Sequence, residues 1–145
     1  MMSQTLDMLL NIKPEDISSR PSKQLYMPRL SELTGSKVWF TIQALTLDEA
    51  KEIRESAAKI RFNKAHERED YYDEEEAALF AILKGVTDPD LRDRRLLENL
   101  AAPTPKELVK KLLLSGEIAN ISEQIMKLSG FNSLGETDGE EVKNS

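Results

Sequence analysis

Along residues 37–45, "KVWFTIQAL", apolar and polar positions alternate: Val38, Phe40, Ile42 and Ala44 fall on one face, Trp39, Thr41 and Gln43 on the other. Period-two alternation rich in β-branched and aromatic residues predicts a half-buried strand. Gly35-Ser36 precedes it as a turn, and "QLYMPRL" (24–30) supplies an antiparallel partner. Pro28 cannot donate a ladder hydrogen bond, which makes that partner an edge. Elsewhere the helical period dominates. Thr46 and Glu49 form a capping box for a helix running to about Arg61, with Ala50, Ile53, Ala57 and Ile60 on its buried stripe and Glu55–Lys59 as a favourable surface pair. "AALFAILKG" is apolar nearly all round, which predicts the central core helix, with Gly85 as the residue that stops it. Asp93 caps "RRLLENL", turning Leu96, Leu97 and Leu100 inward.

The densest apolar stretch is "PTPKELVKKLLLSGEIANISEQIMKLSGF" (103–131). Thr104-Pro105 followed by Glu107 is a strong helix start. Leu108, Val109, Leu112 and Leu113 make one stripe, and Leu114 falls off it, between Lys110 and Lys111 on the helical wheel. Ser115-Gly116 reads as the break. In the second helix Ile118, Ile121, Ile125 and Leu128 recur at alternating three- and four-residue steps, as along a helix–helix seam, and Gly130 ends it. These patterns predict a mainly α fold: a small helical domain of about five to six short helices with one small antiparallel β-hairpin near residues 24–45. Residues 1–22 form an N-terminal arm with a short helical turn bearing Leu6, Leu9 and Leu10, which docks on the body or on a partner. Residues 23–131 form the domain, and the polar, acidic residues 132–145 a disordered tail.

Composition narrows the function. The 145 residues suit one domain. The net charge of −6 and pI near 5.0 argue against nucleic acid, which needs a basic face. Arg92, Arg94 and Arg95, the densest basic spot, read as a solvated helix edge. With no cysteine, disulfides and thiol chemistry are excluded. "MMSQTLDMLLNI" lacks the basic region of a signal peptide, and no segment reaches the length of a membrane span; we expect a soluble intracellular protein. "HEREDYYDEEE" (66–76) holds seven acids after His66 against one Arg68. A metal or a basic partner is one reading of it; a capping box at Asp73 and Glu76, with acids complementing the positive end of the next helix, is the better one. "VTDPDLRD" fails as a calcium loop, because Arg92 replaces a ligand and the turn glycine is missing; Asp88-Pro89 reads as the cap and first residue of a short turn. His66 is the sole histidine, and no nucleophile or phosphate-binding motif occurs. We expect no catalytic residue, no cofactor and no metal.

Several motifs are specific. "LDMLLN", "VWFTIQALTLDEAKEIRE", "LKGVTDPDL", "PTPKELVKKLL", "GEIANI" and the closing "KLSG" resemble the XkdN-like tail assembly chaperones of prophages and contractile-tailed phages of Gram-positive bacteria, over most of residues 6–131. Ser115 stands where that family commonly has a proline before Gly-Glu-Ile; both suit a helix break. The resemblance implies a non-enzymatic protein of the bacterial host cytoplasm. It would bind the tape measure protein, keep it soluble while tail tube protein assembles around it, and be absent from the mature virion. It also implies a longer form made by frameshifting near the end of the reading frame, and self-association is compatible with it. A tape measure protein is a long helical chain, so surplus apolar helix faces are what would bind it. That singles out Leu113, Leu114, Ile118, Ile121 and Ile125 as candidate partner-binding residues. For most of them the core is the stronger reading; Leu114, off the stripe, is the best exposed contact. The alternatives are a structural tail or baseplate component, and a small helical regulator that binds a single partner.

Overall fold

In a computed structural model, residues 3–131 are described; the expected disordered tail and frameshift site beyond Asn132 lie outside them. The alternating stretch becomes strand β2 (Trp39–Gln43), and its pattern is met: Phe40, Ile42 and Ala44 are buried while Trp39 faces out. Its partner is β1 (Ser22–Tyr26), antiparallel, with Leu25 opposite Phe40 and Tyr26 opposite Trp39. Those last two rings meet at 5.1 Å on the outer face. The partner strand stops before Pro28, which opens helix α3 (Pro28–Thr34) at its N1 position, where its missing N–H costs nothing. Gly35 ends α3 in the left-handed conformation, φ 78°. Buried Ser31 then joins α3 to β2: its Oγ donates to the Met27 carbonyl at 2.7 Å and accepts from the Val38 N–H at 2.8 Å.

Helix α4 (Leu47–Ala57) starts at the expected capping box: Glu49 N–H donates to Thr46 Oγ1, and Thr46 N–H to Glu49. It does not run to Arg61. The chain turns into β3 (Ala58–Phe62), which pairs antiparallel with β4 (Arg68–Tyr72) in a second sheet. No glycine or proline marks that switch. Asn63 makes the turn instead, its side chain accepting from the Ala65 and Glu67 N–H groups, and Asp73 N–H closes the base on the Ala57 carbonyl at 2.8 Å. Ile60, expected on the helix's buried stripe, is therefore 55% exposed.

The acidic stretch is dispersed by the same hairpin. Glu69 pairs with Arg61 at 3.0 Å and Asp70 with Arg68 at 3.1 Å. Asp73 caps helix α5 (Glu74–Gly85) by accepting from the Glu76 N–H, as expected, while the Glu76 side chain pairs with Lys106. Helix α5 is central, packed on α4 and on the two C-terminal helices, α7 (Pro105–Leu112) and α8 (Ser115–Leu128). Gly85 is not a left-handed stop. It is the last residue of α5, and the chain runs straight on into β5 (Val86–Asp88), which pairs with β2. Asp88 is thus a strand residue, followed by a cis Asp88-Pro89 bond. Asp93 caps α6 (Arg94–Asn99), whose leucines pack at the core's edge.

Eight helices and five strands in two antiparallel sheets, ordered β1-β2-β5 and β3-β4, occur among the described residues. The expected mainly α domain with one hairpin is thereby corrected to an alpha/beta fold. The three strands overlooked were a three-residue segment too short for periodicity and a hairpin whose strands read as helix end and charged loop. The core lies between the inner face of β1-β2-β5 and helices α4, α5, α7 and α8, with Phe40, Ile42, Ile82, Leu108, Ile121 and Ile125 fully buried. Ser129 pins the end of α8 to that sheet, accepting from the Leu45 N–H at 2.8 Å. Helices α1 (Gln4–Leu10) and α2 (Pro14–Ser18) contribute no buried residue.

Candidate partner-binding surface

Helix α7 starts as its sequence predicts, with Thr104 Oγ1 accepting from the Glu107 N–H and Pro105 in the first turn. It stops at Leu112, two residues before the expected break. Leu113 and Leu114 are both extended (φ −113°, ψ 143° and φ −79°, ψ 160°), and Ser115-Gly116 already belong to α8. Successive side chains on extended backbone point to opposite sides. Leu113 accordingly turns into the core at 3% exposure, and Leu114 turns out to solvent at 57%.

A side chain from α3 holds this corner. Arg29 donates through Nη2 to the Leu112 carbonyl at 2.7 Å and to Glu117 Oε1 at 2.7 Å, with Nε also on the Glu117 carboxylate. Glu117 in turn accepts from the Leu114 N–H at 2.8 Å, so the third residue of α8 satisfies the N–H of its N-cap. The Arg29 hydrogen bond holds the Glu117 carboxyl below its ordinary value, the Leu114 N–H adds to that, and partial burial opposes it. One guanidinium thus ties the end of α7 to the start of α8 and fixes the direction of Leu114.

Beside the corner runs a groove of about 580 Å³ between α5 and α8. Ala78 and Leu79 wall one side, Ile118, Ala119 and Ser122 the other, with Leu113 at one end; Glu74, Glu75 and Lys110 stand at its margin. A smaller hollow of about 190 Å³ shares Glu74, Ala78 and Ser122 with it and continues toward Tyr72 and Met126.

The five residues predicted from sequence separate here. Leu113, Ile121 and Ile125 are core, the last two at 0% exposure. Ile118 is half-buried on the groove wall, and Leu114 is exposed beside it. Two exposed apolar surfaces were missing from the sequence-based set. One is the β3-β4 face carrying Ile60, Phe62 and Tyr72, which register pairing places on a single side; recognising the hairpin would have found it. The other is α1, whose Leu6, Leu9 and Leu10 were read at helical spacing but left open as to docking. Arg94 and Arg95 are solvated and pair with Glu98 and Asp93. Among the described residues, no group of three or more His, Asp or Glu is placed to hold a metal ion, and no helix is long and apolar enough to cross a membrane.

Comparison with solved structures finds the crystal structure of the protein YqbN, with a TM-score of 0.57 at 19% identity over 83% of this chain and 93% of that one. At that identity the likeness establishes a shared fold. No curated protein sequence matches the chain. The sequence profile of the phage XkdN-like tail assembly chaperone protein, TAC, matches residues 6–143, nearly the whole length and including every element of the corner and groove. The chain belongs to the XkdN-like family of phage tail assembly chaperones.

Proposed function

We propose that this chaperone acts on the tape measure protein, in the host cytoplasm, holding its helices soluble until tail tube protein encloses them and then leaving the particle. The role needs no catalysis. The observation that carries the reading is Leu114: a large apolar side chain, more than half exposed, on backbone fixed by Arg29 and Glu117, between Leu113 and Ser115 of the α5–α8 groove. Exposed apolar groups held rigidly at a groove match what a passing amphipathic helix needs, because little ordering entropy is lost on docking. Leu114 and Ile118 are the two candidates from the predicted set that are not fully buried, which supports them as the contacts.

Leu114→Asp tests this. Being exposed, the substitution should change stability by no more than about 0.5 kcal/mol, and it should abolish co-purification with co-expressed tape measure protein. Undiminished co-purification would remove Leu114 from the contact. Mass spectrometry of purified particles tests the departure step: an abundant copy in mature tails would instead make the protein a structural component.

A further inference from the structure

The β3-β4 hairpin sorts its side chains into two unlike faces. Directly opposed residues of an antiparallel pair share a side, and the register sets Ala58 against Tyr72, Ile60 against Asp70 and Phe62 against Arg68. Alternation along each strand places all six on one face. Ile60, Phe62 and Tyr72 there are 55%, 68% and 49% exposed, and Asp70 and Arg68 pair with each other. The opposite face holds the hairpin's shape: Arg61 pairs with Glu69 and lies 4.6 Å over the Tyr71 ring. Apolar residues scattered singly over a surface need no partner; three large ones on one face of a braced hairpin mark an interaction site.

Tyr72 is where this face meets the body. It lines the smaller hollow with Ile53, Ala77 and Met126, and that hollow shares Ala78 and Ser122 with the α5–α8 groove. Groove, hollow and hairpin face are therefore successive parts of one apolar track. Along α8 the track runs from Ser115 to Met126, roughly 17 Å at helical rise. From Ala58, opposite Tyr72, to Phe62, β3 extends it by up to roughly 13 Å. A helix of about twenty residues spans that sum. The margin is acidic: Glu74 and Glu75 are exposed and form no ion pair among the described residues, whereas Lys110 pairs with Glu107. We propose that the hairpin face is the outer half of the client site. One amphipathic helix of the tape measure protein, its apolar stripe bordered by Lys or Arg, lies in the groove and continues against Tyr72, Ile60 and Phe62. The assignment rests on the function proposed above, and adds the extent of the bound segment and the charge that selects it.

The test co-expresses the full chain with tape measure protein and measures how much is recovered per chaperone. Ile60→Ser combined with Phe62→Ser, both at exposed positions, should cut recovery at least tenfold while the thermal melt stays unchanged. Lys59→Ala, on the opposite face, should leave recovery as in the wild type. Recovery should fall as salt rises, and Glu74→Gln with Glu75→Gln should flatten that dependence; an unchanged slope would overturn the basic border of the stripe. A photo-reactive p-benzoylphenylalanine in place of Phe62 gives a readout that lost stability cannot mimic. It should cross-link to the tape measure protein, and the same group in place of Lys59 should not. If the wild type recovers tape measure protein, then undiminished recovery with the hairpin variant overturns the assignment and leaves the function standing. So does a Phe62 site that cross-links to nothing, or only to another copy of the chain. A wild type that recovers no tape measure protein overturns the function itself, and the assignment with it.

Discussion

Replacing Gly85 by alanine measures how closely α5 and α8 approach. A Cβ at Gly85 would lie 2.6 Å from Ile125 Cδ1, 2.8 Å from Cγ2 and 3.0 Å from Cγ1. All three contacts fall on one side chain, and Ile125 is fully buried, so it has no free direction in which to rotate away. Two effects compete. Alanine is favoured over glycine in helical backbone by about 0.5–1 kcal/mol, and Gly85 is not in a left-handed conformation that would forbid it. Overpacking a filled core costs about 1–3 kcal/mol. The clash should win, for a net loss of roughly 1 to 2 kcal/mol. Urea unfolding should show a lower midpoint at unchanged m, since the surface exposed on unfolding hardly changes. Ile125→Val removes the closest atom, Cδ1, at its own cost of about 0.5–1.5 kcal/mol. Combined with Gly85→Ala it should be less destabilising than the sum, with a coupling of about 1 kcal/mol. An alanine variant as stable as the wild type, or two substitutions that simply add, would refute the close approach.

Two further outcomes follow from named contacts. The Glu117 carboxyl is held low in the folded chain, so the unfolded chain binds a proton there more readily. Its contribution to stability is therefore complete above the ordinary glutamate value, about pH 4.3, and fades as pH falls through the lower folded value. The stability gap between wild type and Glu117→Gln should stay constant near neutrality and close on acidification; a gap that widened toward low pH would contradict the Arg29 pairing. Ser31→Ala leaves the Val38 N–H without its acceptor and should cost about 1–3 kcal/mol in chemical denaturation; a neutral result would mean that water replaces the hydroxyl.

Much of the fold was legible because it rests on interactions between near neighbours in the chain. The caps at Thr46, Asp73, Asp93 and Thr104 are side chains bonding to N–H groups two or three residues on, and each was readable from residue type and spacing. The alternation of β2 and the inward stripe of α7 are likewise periodicities of one segment against one core. Pro28 at the start of α3 was also a local signal, and reading it as a strand edge overlooked the helix-start meaning of the same residue.

What stayed hidden depends on partners far along the chain. Residues 58–62 are compatible with helix, and they become a strand only because residues 68–72 lie alongside them. Gly85 looks like a stop signal, whereas its missing Cβ makes room for Ile125, forty residues later. The break at Leu113-Leu114 contains neither glycine nor proline, and Arg29 from α3 holds it. By itself the sequence determined the caps, the strand of the alternating segment, the apolar stripes and the family motifs, all of which follow from side-chain chemistry at short range. Only the tertiary structure decided which apolar residues became core and which became surface. Burial is a property of the neighbours a residue acquires, and for Ile121, Ile125 and Leu114 those neighbours arrive from other elements.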